Sequence, residues 1–199
     1  MRATQTLPTG YIAQGSITLK QNRRLLILLN VLGVPWFILC VVFFVYIASL
    51  LGAMGNGTGS VTLDATTLLL YVVAVVVTSA AVLVLHELAH GLFFWLFIRS
   101  RPRFGFKGVY AYAAAPGWYI PRPQFLVVGL APLVLISLAG LLALPVTAPP
   151  ASLVLVFALT VNATGAIGDL YMVVRLLFVP HDALIEDQGD GIRWFVPAQ

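Results

Sequence analysis

Apolar residues in this chain run in blocks rather than alternating with polar ones. Four blocks are long enough to cross about 30 Å of hydrocarbon as helices, which takes roughly 20 residues each. They cover about residues 25–51, 66–98, 124–144 and 151–179. The second is longer than a perpendicular helix needs, so it is tilted, broken, or begins in the interface. Between residues 99 and 123 the pattern changes. There Phe104, Phe106, Tyr110 and Tyr112 alternate with small or basic residues, and Pro116-Gly117 and Pro121-Arg122-Pro123 signal turns. That stretch reads equally as a short hairpin at the membrane surface or as an aromatic belt. The expected fold class is an all-α integral membrane protein with four transmembrane helices. It has room for a short interfacial β-hairpin between the second and third, all in one membrane-embedded domain over residues 1–199.

Composition agrees with the blocks. The chain is 60% hydrophobic and 9% charged, whereas soluble domains carry about 25% charged residues. A surface so poor in charge has to face lipid. The net charge of +4 does not point to nucleic acid, because the basic residues flank apolar blocks. Arg2, Lys20, Arg23 and Arg24 precede the first block, and Arg99, Arg101, Arg103, Lys107 and Arg122 lie between the second and third. The 54–64 and 145–150 connections carry no Lys or Arg. The positive-inside rule then places both termini and the 99–123 loop in the cytoplasm of a multi-pass plasma (inner) membrane protein. The acidic tail (Asp182, Glu186, Asp187, Asp190) falls on the same side by parity. No cleavable signal peptide is expected, since the first apolar block is too long for one. The single cysteine, Cys40, excludes a disulfide framework or a cysteine zinc site within one chain.

Chemistry concentrates at His86-Glu87-Leu88-Ala89-His90, inside the second block. Residues four apart share a helix face, so both imidazoles can reach one metal ion, with Glu87 beside them as a proton acceptor. Glu87 and Asp169 are the only carboxylates within the four blocks. Each costs roughly 2.5–3.5 kcal/mol at a helix centre on insertion scales, and such residues face the bundle interior. At 1.5 Å per residue, His90 lies roughly 14 Å from Arg99, and Asp169 roughly 16 Å from Pro180. Both helices run in the same direction, so His86, His90 and Asp169 can meet at one depth. Zinc in a hydrolase takes three protein ligands and keeps a fourth position for water. Asn162, two turns before Asp169 on the same face, either donates to a substrate carbonyl or oxyanion or makes a helix–helix hydrogen bond. Small residues from Ala163 to Gly168, and Gly91 after His90, permit close helix approach. Pro132 reads as a kink in the third block, and His181 as solvent-exposed.

At these residues the chain resembles the intramembrane zinc metalloproteases of the site-2 protease class. It is most similar to a smaller family of membrane proteins known as the "putative zincin peptidase" family. The resemblance rests on His86-Glu87-Leu88-Ala89-His90-Gly91, the Ala131-Pro132 step, and Asn162 through Gly168-Asp169. It implies Asp169 as third zinc ligand and Asn162 as a substrate-positioning residue. It also implies a loop before the third span that presents an edge strand to an unfolded substrate. Where the site-2 pattern has prolines and a leucine before its aspartate, this chain has Gly165, Ile167 and Gly168.

The expected function is a zinc-dependent intramembrane endopeptidase. Its Zn²⁺ would be held by His86, His90 and Asp169, with Glu87 and Asn162 as catalytic residues. Its partners would be membrane lipids and a transmembrane protein substrate, with no nucleic acid. Two rivals use the same residues: an ion or metal carrier with Glu87 and Asp169 as a relay, and a catalytically silent zinc-binding membrane protein.

Overall fold

The computed structural model describes residues 2–18, 22–55, 64–106, 111–189 and 191–198. Lys20, Lys107, Tyr110 and Asp190, used above, lie outside the described residues. The chain is mostly helical, with two small antiparallel sheets.

The first apolar block forms α1 (Arg23–Leu50), started by the Asn22 side chain, which accepts from the Leu25 N–H at 3.0 Å. The second forms α2 (Ala65–Ile98), where the Asp64 carboxylate accepts from the Thr67 N–H at 2.8 Å. That bond satisfies one of the orphan donors of a helix start. A hydrogen bond with the Thr67 side chain, and then this backbone bond, hold the exposed Asp64 carboxyl below its ordinary value. At 1.5 Å per residue α2 is about 51 Å long, well beyond a 30 Å hydrocarbon layer. The third forms α3 (Arg122–Ala143), with Pro132 in its interior, followed by a single 3-10 turn at Leu144–Val146.

The fourth block departs from a continuous span. It divides into α4 (Ala151–Gly165) and α5 (Ile167–Leu177), which meet at Ala166 with a 42° bend. Gly165 and Gly168 flank the break, and glycine is a poor helix former. Irregular backbone at membrane depth persists only when protein satisfies its polar groups. Trp36 of α1 does so here, its indole N–H donating to the Ala163 carbonyl at 2.8 Å. Among the described residues, three helices are therefore long and apolar enough to cross a membrane, or four if the bent pair is one span. This is compatible with a membrane protein. The outer faces of α1 and α2 agree, for Val31, Leu39, Leu70 and Val76 are more than half exposed.

The strands correct the all-α expectation. Before α1 lies β1 (Tyr11–Thr18), and between α2 and α3 lie β2 (Arg103–Phe106), β3 (Ala111–Ala114) and β4 (Tyr119–Pro121). After α5 come β5 (Leu184–Asp187) and β6 (Gly191–Pro197). β2 and β3 pair as a hairpin, Arg103 opposite Ala114. The others form one antiparallel sheet in the order β1-β6-β5-β4, so both chain ends are tied together. Tyr11 faces Pro197 in register, and Thr4 exchanges two backbone hydrogen bonds with Tyr119 at the far edge. The four-stranded sheet was not expected because an isolated segment of this length is marginal until distant strands pair with it.

Every strand attaches at the end of the bundle where α1 and α3 begin and α2 and α5 finish. Two buried clusters hold the molecule together. One joins Phe94 and Ile98 of α2, Phe125 of α3 and Leu176 of α5 to Ile120, Ile185 and Ile192 of the sheet. The other packs Cys40 and Phe44 of α1 against Val156 and Leu159 of α4. Arg122, at the start of α3, donates to the Leu176 and Leu177 carbonyls at 2.7 and 3.1 Å, closing the C-terminal end of α5.

Candidate metal centre

His86 and His90 lie one turn apart on α2, with ring centroids 5.0 Å apart and planes at 76°. Asp169 lies in the first turn of α5, directly after the break at Ala166. The positive end of the helix dipole favours a carboxylate there. Its Oδ2 is 3.0 Å from His86 Nε2 and 3.5 Å from His90 Nε2. One candidate ligand atom from each of the three lies within 4.8 Å of the others. Gly129 of α3 permits this convergence, since a Cβ there would meet Val173 Cγ2 of α5 at 2.9 Å.

Backbone carbonyls of α3 set both ring orientations. Pro132 has no N–H, so the carbonyl four residues earlier, on Val128, has no partner along its own helix. His90 Nδ1 lies 2.9 Å from that oxygen and donates to it, which leaves Nε2 as the free lone pair facing Asp169. His86 is set through Asn162. The Asn162 Nδ2 donates to the Pro132 carbonyl at 3.2 Å, so its Oδ1 faces His86 Nδ1 at 3.1 Å and accepts from it. His86 Nε2 lies within hydrogen-bond distance of Asp169 Oδ2, at 3.0 Å, and would turn its lone pair to an ion bound there. Two neutral imidazoles presenting Nε2 beside one carboxylate are the donor set zinc takes with an open fourth position.

Asn162 is 1% exposed and both ends of its amide are engaged. Of its two readings from sequence, the geometry favours the helix–helix hydrogen bond over donation to substrate. Pro132, read as a kink, takes part in holding the centre. His181 is exposed.

Glu87 lines a cavity of about 510 Å³ that His90 and Asp169 also line. Its carboxylate accepts from the Ala113 backbone N–H of β3. The β2–β3 hairpin docks on α2 at Gly91, where a Cβ would meet the Phe104 ring at 2.3 Å. A further residue enters from a direction the sequence did not suggest. Asp187, at the end of β5, lines the same cavity, and its Oδ1 accepts from the Gly189 N–H at 2.6 Å. Burial pushes its carboxyl up to about 7, although the Gly189 hydrogen bond opposes the shift. Read along the chain, Asp187 was one charge of an acidic tail. Only the pairing of β5 with β4 and β6 brings it to the cavity.

The profile of a family described as "putative zincin peptidase" matches residues 79–184, just over half of the chain. The chain belongs to that putative zincin peptidase family. The matched stretch contains His86, Glu87, His90, Pro132, Asn162 and Asp169, and ends before Asp187. Comparisons with curated proteins and with solved structures return no match. A zincin family implies zinc, and His86, His90 and Asp169 lie together as a site that fits it. Membership also supports a metallopeptidase kind of function.

Proposed function

We propose that this zincin-family protein is a zinc-dependent intramembrane endopeptidase acting on membrane-embedded or membrane-adjacent segments. The observation that carries this reading is the meeting of His86, His90 and Asp169, from two apolar helices, beside a cavity lined by Glu87. The centre lies eight residues from the end of α2, or about 12 Å at 1.5 Å per residue, a distance that supports a site below the headgroups. The similarity of the motif and the distal aspartate to site-2 proteases supports the same reading.

When bound, Zn²⁺ supplies the Lewis acidity that makes water a nucleophile near neutral pH and polarises a scissile carbonyl. Everything else falls to the chain. His86, His90 and Asp169 would hold the ion, and Asn162 and the Val128 carbonyl would keep both imidazoles in the ligating tautomer. Glu87, steadied by the Ala113 N–H, accepts a proton from the water as its oxygen bonds to the carbonyl carbon. As the C–N bond breaks, Glu87 returns that proton to the leaving nitrogen, giving a carboxylate product and a free amine. Arg99, Arg101, Arg103 and Arg122 gather where the strands attach, which under the positive-inside rule supports a mouth and termini on the cytoplasmic side.

Glu87→Gln tests the assignment. The purified variant should keep its zinc and lose cleavage of reporter peptides carrying a transmembrane segment by at least about 100-fold. Cleavage that survives the substitution would contradict it. Metal flux into sealed vesicles without any cleavage would favour the carrier reading instead.

A further inference from the structure

The cavity beside the metal centre holds one carboxylate more than peptide hydrolysis requires. Asp169 serves as ligand and Glu87 as proton carrier, whereas Asp187 reaches the same space from the C-terminal hairpin. Among the described residues, no Lys or Arg lines the cavity. With a doubly charged ion, two neutral imidazoles, Asp169 and Glu87, the charges in the pocket sum to zero. Asp187 then contributes a negative charge that no described residue lining the pocket balances. Much of the remaining wall is apolar, with Phe94, Phe125, Val128, Met172 and Ile192 facing the space. An uncompensated carboxylate in such surroundings is costly unless it is neutralised. Burial displaces its titration upward, against the Gly189 hydrogen bond and the attraction of His90.

The position is also held firmly. Asp187 pairs with Ile192 across the hairpin, and its carboxylate is bonded to the Gly189 N–H. Gly189, with φ of +84°, lies within 3.0 Å of the Tyr112 ring measured from an ideal Cβ, so the turn sits against β3. The strand carrying the acid is thus braced on the β2–β3 hairpin on one side and by the paired chain ends on the other.

We propose that Asp187 is a specificity-determining residue that binds a cationic nitrogen of the substrate, either a basic side chain or a free α-amine, close to the scissile bond. This deepens the metallopeptidase reading and rests on it. Peptides bearing a positive charge near the cleaved bond would then be preferred over neutral peptides of the same size. The Leu184–Pro197 hairpin is a recognition element as well as a structural one.

Three zinc-binding probes separate the outcomes by calorimetry on zinc-loaded protein in detergent at pH 8. They are N-acetylnorleucine hydroxamate (neutral), N-acetyllysine hydroxamate (side-chain cation) and norleucine hydroxamate with a free α-amine. One cationic probe should bind wild type about tenfold tighter than the neutral probe, as expected for a partly buried charge pair. Which one does so identifies the source of the cation. Asp187→Asn should bring that ratio close to one and leave the neutral probe unchanged, which also shows that the pocket is intact. Equal binding of all three probes to wild type, or a preference that survives Asp187→Asn, overturns the proposal and leaves the metallopeptidase reading standing. A second zinc ion per chain that is lost in Asp187→Asn would make the residue a metal ligand and overturn it too. Failure of every probe to bind wild type contradicts the zinc pocket, and the proposal falls with it.

Discussion

Replacing Pro132 with alanine gives residue 132 an N–H directed at the Val128 carbonyl, the oxygen to which His90 Nδ1 now donates at 2.9 Å. The helix bond forms within α3, and the imidazole loses its acceptor. A buried donor left without a partner costs about 1–3 kcal/mol, equivalent to roughly 5- to 150-fold in a binding constant at 1.4 kcal/mol per tenfold. That range agrees with the 10- to 100-fold losses of metal affinity typical when a group orienting a ligand is removed. Metal-free stability should move the other way or stay level. A proline inside a helix costs about 3 kcal/mol, whereas trimming the ring removes only a few buried methylene contacts at about 0.8 kcal/mol each. The assay is competition with a chelating zinc indicator for affinity, together with the thermal midpoint of the metal-free protein. Weaker zinc binding with an unchanged or raised midpoint is expected. Unchanged zinc affinity, or a loss accompanied by a lower metal-free midpoint, would refute the positioning role of Pro132.

Asn162→Ala should weaken zinc binding by roughly tenfold, because it removes the acceptor that holds His86 Nδ1–H; the indicator competition measures this, and unaltered affinity would count against it. Gly140→Ala should lower the thermal midpoint, since a Cβ there would meet the fully buried Leu159 at 2.4 Å. Overpacking of that kind costs about 1–3 kcal/mol, and an unaffected midpoint would show that α3 and α4 can separate freely. The metal-free protein should lose stability as pH rises through the range set by Asp187. Its carboxyl is raised from 3.8 to about 7 on folding, so between those values the folded chain holds a proton that the unfolded chain releases. Thermal midpoints across pH 5.5–8 should therefore fall less in Asp187→Asn than in wild type, and parallel curves would exclude a buried Asp187.

How far the fold was legible depends on how local its signals are. The apolar blocks gave the helices because a bilayer demands a minimum length of apolar residues. The meeting of His86 and His90 was legible from spacing alone, and that of Asp169 with them from being a lone carboxylate at matching depth. The break at Ala166 was not, because Gly165 and Gly168 read as surfaces for helix packing rather than as a bend. The four-stranded sheet was hidden for a different reason. β1 pairs with β6, from the opposite end of the chain, and neither segment has enough apolar length to announce itself. Asp187 was misjudged in consequence, since its place in the cavity follows from that sheet. The role of Asn162 turned on the Pro132 carbonyl, which dictates how its amide lies. Sequence spacing carries no such directional information.

The most direct test of the metal centre is the zinc content of the purified protein, wild type beside His86→Ala and Asp169→Ala, by elemental analysis after dialysis. One zinc per chain in wild type, and loss of most of it in both variants, is expected if α2 and α5 grip a single ion. Full zinc retained in Asp169→Ala would contradict a centre shared between those two helices.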